Sequence, residues 1–148
     1  MSENDVINLT EDSPSVQAHL VMLQNVIQRM ASNSSSCKSW CITLVSAVLV
    51  IVADKGKPDF AWIALLPTVI FACLDAYYLA LEKGFRETYN NFVEKLHCKS
   101  LISVDLYAIT PQGKMSKHQF EAMKSMSVWG FYIPLVLLIY ITKTIAIG

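Results

Sequence analysis

The feature that most constrains this chain is where its charges are missing. Uncharged, mostly apolar runs occupy Ser39–Ala53, Phe60–Leu74 and Ser125–Thr142, and most charged residues fall outside them. Such runs read as membrane-embedded helical segments. A mean hydropathy of +0.40 and a hydrophobic content of 53% point the same way, since both exceed what a soluble domain of this size carries. The expectation is one all-α integral membrane domain with three transmembrane segments and cytoplasmic helical extensions. Formal net charge is zero, so the basic patch of a nucleic-acid binder is missing and no direct nucleic-acid partner is expected.

Residues 1–13 read as a disordered polar tail, carrying Glu3, Asp5, Glu11 and Asp12 with neither a basic nor an apolar stretch of the secretory type. The single membrane domain is expected over 14–148. Ser13-Pro14 marks a helix start, with Ser as N-cap and Pro where its missing N–H is harmless. Val16, Leu20, Leu23, Ile27 and Met30 then form an a/d stripe on an amphipathic helix over 14–33. That stripe serves either packing within the chain or self-association. Asn33-Ser34-Ser35-Ser36 is expected to weaken or break the helix before the first span, 37–53. The uncharged core of that span covers only about 22 Å, short of a bilayer core of about 30 Å. Lys38 can snorkel and Trp40 can sit at headgroup level, and a short span also suits local thinning or oligomerisation.

Asp54–Asp59 is a tight polar turn with Gly56 and Pro58 as breakers, so the next segment returns antiparallel. The second span covers 60–81, with Pro67 expected to kink it. Leu74, Tyr78, Leu81, Phe85, Tyr89, Phe92 and Leu96 keep one stripe going, so this helix should continue out of the bilayer to about 98. Glu82/Arg86 and Lys83/Glu87 are spaced as i,i+4 pairs. A loop is expected over 99–115, Ser116 and Gln119 match a capping box, and the third span covers 125–147 with Pro134 inside it. Basic residues set the orientation. Arg29, Lys38, Lys83, Arg86, Lys95, Lys99, Lys114, Lys117 and Lys124 stand on one side, against Lys55, Lys57 and Lys143 on the other. The positive-inside rule puts the N-terminus and the 82–124 region in the cytoplasm of a multi-pass inner-membrane protein.

Little here reads as chemistry. His19, His97 and His118 lack ligand spacing, and Cys37/Cys41 without a second thiol pair make a poor zinc site. Cys37, Cys41, Cys73 and Cys98 read as packing residues or, alternatively, as redox or lipidation sites. Sequon-like matches at Asn8 and Asn33 carry little weight. No phosphate loop, metalloprotease signature or nucleophile elbow is present, so no catalytic residue, cofactor or metal is expected. Asp75 is the most pointed residue, because a carboxylate in or beside an apolar span is expensive. It is either hydrated at the interface, paired with Arg86, Lys83 or Arg29, or lining a pore together with Ser46 and Lys38. Leu20, Leu23, Ile27, Phe85, Arg86, Tyr89 and Phe92 are the expected packing or partner surface.

Residues 16–98, with Leu23–Trp40, Cys41–Ala53, Phe60–Ala80 and the aromatic, charged stretch Asp75–Tyr89, resemble the SLATT-type two-transmembrane domains. The third segment lies outside that two-span pattern. The resemblance implies a pore-forming effector of a bacterial conflict system, encoded beside sensors or second-messenger synthases. The corresponding expectation is an oligomeric inner-membrane effector of anti-phage defence that perturbs or permeabilises the membrane. Its partners would be the lipid bilayer, further copies of itself, and a cytoplasmic protein or nucleotide-signalling partner. The competing expectation is a membrane anchor or adaptor that recruits a soluble protein.

Overall fold

The computed structural model describes residues 9–145, which form helices and turns with no strand among them. Helix α1 runs Pro14–Lys55, a 3-10 segment spans Pro58–Ala64, and α2 runs Leu65–His97. After a second short 3-10 turn at Ser103–Asp105 come α3, Met115–Met123, and α4, Met126–Ile145. Three stretches are long and apolar enough to cross a membrane: Pro14–Lys55, Pro58–His97 and Met126–Ile145. At 1.5 Å per residue α4 is about 30 Å long, a bilayer core's thickness.

α1 begins where expected, with Ser13 extended and Pro14 as the first helical residue. It does not break at Asn33–Ser36. The serines are satisfied without leaving the helix: Ser39 Oγ donates to the Ser35 carbonyl at 3.3 Å, while Ser34 turns inward toward α2. The expected separation into a 14–33 helix and a 37–53 span is therefore one 42-residue rod. Gly56 closes it at φ +60°, a conformation that favours glycine, and the Gly56 and Lys57 N–H groups cap the Ala53 and Val52 carbonyls.

Pro58 opens the 3-10 segment, and Pro67 falls in the first turn of α2 rather than mid-helix. Its absent N–H is tolerated there, close to the junction with the 3-10 segment. Pro134 does lie inside α4, where it deprives the Gly130 carbonyl of its helical donor. The expected capping box at Ser116 is also displaced. α3 starts at Met115, and Ser125 caps α4 instead, its carbonyl accepting from the Val128 and Trp129 N–H groups at 3.0 and 3.1 Å.

α1 and α2 form a long antiparallel hairpin whose two ends serve different lobes. In the apolar lobe, Cys41, Val45, Leu49 and Val52 of α1 pack with Ala61, Ala64 and with Val128, Tyr132, Leu135 and Ile139 of α4. Lys143 lies 3.7 Å from Asp59 and 4.9 Å above the Trp62 ring, tying the far end of α4 to the 3-10 segment. In the polar lobe, Val16, Leu23, Phe92, Leu96 and Leu101 form a second core, with Leu9 packed against it. Leu9–Ser13, expected to belong to the disordered tail, are thus ordered and contribute to packing; residues 1–8 lie outside the described residues.

The aromatic stripe read from sequence is buried only at its end, at Phe92 and Leu96; Tyr78, Leu81, Phe85 and Tyr89 are half-buried and Leu74 is exposed. Ahead of Phe92 the small residues Ala76, Ala80, Gly84 and Thr88 are buried at four-residue spacing. Ala76 and Ala80 receive Ala122 of α3. Gly84 and Thr88 receive the 110–113 strap: Thr88 Oγ1 donates to the Thr110 carbonyl at 2.7 Å, and the Gln112 N–H meets Thr88 Oγ1 at 3.1 Å and the Gly84 carbonyl at 3.2 Å. A Cβ on Gly84 would stand 2.9 Å from that of Pro111, so the close approach requires glycine.

Candidate functional site

Where the two lobes meet, α1 and α2 share a buried polar cluster. Asp75 is fully buried, 0% exposed. Its Oδ1 accepts a hydrogen bond from Ser34 Oγ, and its Oδ2 lies 2.6 Å from Lys38 Nζ. The lysine approaches off-axis, so the contact is an ion pair more than an aligned hydrogen bond. Lys38 also donates to Ser34 Oγ at 3.3 Å, closing a triangle. The side chain of Lys38 keeps 19% exposure, whereas that of its carboxylate partner keeps none.

Helix periodicity builds this site. Ser34 and Lys38 are one turn apart on α1, in line with buried Cys37 and Cys41, and therefore face α2. Asp75 sits beside Ala76 on the buried side of α2, where small residues let the backbones approach. From α4, Tyr132 joins with its hydroxyl buried beside Asp75, without a well-aligned hydrogen bond, and with Cys37 and Cys41 nearby. Measured along α1, Lys38 lies about 25 Å from the Lys55 end.

Of the residues expected at a polar path, the geometry joins Asp75 and Lys38 and leaves Ser46 apart, exposed on another face of α1. The expected partners of Asp75 were Arg86, Lys83 or Arg29; the actual one is Lys38. Arg86 pairs with Glu82 at 2.7 Å as its spacing predicts. Lys83 does not pair with Glu87 but with Glu121 of α3 at 3.5 Å, because α3 offers a partner to each: Glu121 to Lys83, and His118 to Glu87 at 3.1 Å. Neither Ser34 nor Tyr132 stood out in the sequence. The i,i+4 relation of Ser34 to Lys38 was the available signal for the first; for Tyr132 there was none, since its role depends on where α4 docks.

The expected packing surface divides. Leu23 and Phe92 are buried, Leu20, Ile27, Phe85 and Tyr89 are half-buried between the helices, and Arg86 is exposed. Gln24 donates to Tyr89 Oη at 3.4 Å across the hairpin.

A second polar node lies in the other lobe. His19 is buried, stacks on Phe92 at 4.3 Å between centroids, and accepts the Tyr107 N–H at Nδ1 over 2.9 Å. Burial holds the His19 pKa below its usual value, partly offset by the charge of Asp105. For Asp105, burial pushes upward, but the hydrogen bonds from Lys95 and the Ile102 N–H, with the charges of Lys95 and His19, outweigh it and leave the carboxyl below its usual range. This node fastens the 99–109 segment onto the hairpin.

Among the described residues no group of three or more His, Cys, Asp or Glu side chains converges as a metal site would. The cysteines are free, with Cys37 and Cys41 buried and Cys73 and Cys98 exposed. A scan against protein-family models and searches of curated proteins and solved structures return no match, so the functional reading rests on this chain's own geometry.

Proposed function

We propose that this chain is an oligomeric inner-membrane effector of bacterial anti-phage defence, which perturbs or permeabilises the bilayer when its cytoplasmic lobe is triggered. One observation carries the reading: α1 and α2 pass unbroken from the polar lobe into the apolar lobe, with the Lys38–Asp75 pair at the crossing. A tilt or rotation imposed on the polar lobe is thereby delivered to the spans by two continuous rods. Aromatic side chains exposed near both ends of the apolar lobe support its insertion: Trp40, Tyr77 and Trp129 on one side, Phe60, Trp62 and Tyr140 on the other. The distribution of lysine and arginine supports a cytoplasmic polar lobe and an outward-facing 55–59 turn.

The interior between α1, α2 and α4 is packed with Val45, Leu49, Leu135 and Ile139, and Asp75 is occupied by Lys38. A conducting path would therefore form between copies, on exposed faces such as the one carrying Ser46. The partner would be a cytoplasmic protein or nucleotide signal acting on the polar lobe. The test is inducible expression with the neighbouring genes while a dye follows membrane potential. Triggered depolarisation with growth arrest supports the proposal, and unchanged potential and growth on triggering refute it.

A second reading, a membrane anchor that recruits a soluble partner, is favoured by the exposed Ile102, Val104 and Tyr107 on the polar lobe. It predicts that Asp75→Asn leaves activity intact while Val104→Asp abolishes partner capture.

A further inference from the structure

Between α2, α3 and α4 runs a groove of about 320 Å³. Ala72, Cys73 and Ala76 of α2 form one wall, Met123 of α3 closes one end, and Val128 and Trp129 of α4 form the other wall. Trp129 and Tyr77 line it and are themselves exposed, so the groove opens outward rather than into the bundle. Its lining is almost wholly apolar. The neighbouring exposed surface of the spans, including Val69, Leu74 and Ile133, is apolar as well, so the groove is continuous with the face that would meet lipid tails.

The charge at its edge decides the occupant. Lys124 follows Met123 directly, is exposed, and pairs with no carboxylate among the described residues. Its ammonium stands 4.1 Å over the ring of Phe120, itself exposed on α3. Lys83 is held by Glu121 and Lys95 by Asp105, whereas Lys99 and Lys114, like Lys124, pair with no carboxylate among the described residues; of these three, Lys124 alone directly follows a residue that lines the groove. A mainly apolar slot, whose polar lining is limited to Gln119 and the Tyr77 and Tyr132 hydroxyls and which lies beside an uncompensated cation where α3 meets α4, fits a hydrocarbon chain whose own end carries negative charge.

We propose that the groove holds one acyl chain of an anionic phospholipid, with the phosphate-bearing headgroup engaged by Lys124. The proposal rests on the reading of α2 and α4 as membrane spans. A bound lipid would bridge α2, α3 and α4, and so couple the polar lobe to the third span beside the Lys38–Asp75 cluster. Anionic lipid content would then tune how firmly α4 is held.

The full-length chain carries Trp40, Trp62 and Trp129, which makes a site-resolved quenching experiment direct. Trp40→Phe with Trp62→Phe leaves Trp129 in the groove, and Trp62→Phe with Trp129→Phe leaves Trp40 on the far face as reference. Each variant is reconstituted in vesicles of phosphatidylcholine with a minor fraction of phosphatidylglycerol, with brominated acyl chains on one lipid or the other. The expected result is a preference of about five-fold for brominated phosphatidylglycerol at Trp129, the factor one lysine supplies at an anionic surface. Trp40 should show no such preference; Lys124→Glu should abolish it at Trp129, and Lys124→Arg should keep it. Equal quenching of Trp129 by both lipids overturns the proposal. So does a Trp129 shielded from both while Trp40 is quenched, because the groove is then covered by a second copy. If neither tryptophan is quenched, the membrane reading fails first and the groove proposal with it.

Discussion

Removing Lys38 while leaving Asp75 in place is the sharpest perturbation available. In Lys38→Met the stem is replaced by a side chain of similar length, so packing is nearly conserved, but the Asp75 carboxylate, 0% exposed, keeps Ser34 Oγ and the neighbouring Tyr132 hydroxyl and no cation. Breaking a buried pair by removing one member costs about 3–5 kcal/mol, because the survivor is left charged and uncompensated. The 19% exposure of Lys38 means that part of its field reaches Asp75 through a polarisable surround, which argues for the low end, about 3 kcal/mol. Asp75→Asn should cost less, about 1–2 kcal/mol, since the amide is neutral and can still accept from Ser34. In the double variant Lys38→Met/Asp75→Asn the orphaned charge is gone, so its cost should fall below that of Lys38→Met alone. The assay is unfolding of the detergent-solubilised protein by titration with a denaturing detergent, followed by circular dichroism and analysed as a double-mutant cycle. Coupling above about 1 kcal/mol is expected. Strict additivity of the two single variants would refute the reasoning, because it would mean that each charge is solvated independently.

Other consequences are equally open to measurement. Tyr132→Phe deletes a buried hydroxyl that lies beside Asp75 without a well-aligned hydrogen bond, so stability should hold or rise by up to about 1 kcal/mol in the same titration; a loss of stability would mean the hydroxyl is bonded to Asp75. Gly84→Val should destabilise by about 1–3 kcal/mol, because the new side chain meets Pro111 and pushes the 110–113 strap off α2. Hydrogen exchange should report that loss at the Gln112 amide, and unchanged protection there would contradict it. His19 has a folded pKa below its unfolded value of 6.5, so the unfolded chain takes up the proton first as pH falls. Its contribution is therefore fully present above about pH 6.5 and lost below it, at no more than about 1.4 kcal/mol per pH unit. The protection of the Tyr107 amide, which donates to His19 Nδ1, should fall relative to its intrinsic exchange rate on acidification from pH 7.5 to 5.5, and His19→Gln should flatten that response.

The all-α class, the return at Asp54–Asp59 and the continuation of the second helix beyond the apolar run were legible because they follow from charge gaps, breakers and periodicity. The unbroken course of α1 was not. A run of Asn and Ser has weak helical preference by itself, and only the partner that α2 brings to Ser34 shows why the helix persists. The same reason hid the true partner of Asp75. Lys38 looked free to reach outward because its own neighbours in sequence include no carboxylate, whereas the antiparallel hairpin sets it opposite a residue 37 positions away. The stripe on α2 misled in a different way. Aromatic and leucine positions dominate a hydrophobicity pattern, but helices approach where residues are small, and Ala76, Ala80, Gly84 and Thr88 carry little weight in such a pattern.

The central claim is that one continuous body crosses a bilayer, with the polar lobe inside and the 55–59 turn outside. Labelling by a membrane-impermeant maleimide tests it most directly, using the exposed Cys98 of the polar lobe and a cysteine introduced by Lys57→Cys, with Cys73 changed to Ala. In intact spheroplasts, the account predicts labelling at position 57 and protection of Cys98 until the membrane is permeabilised. Labelling of Cys98 in intact spheroplasts, or of both sites without permeabilisation, would contradict it.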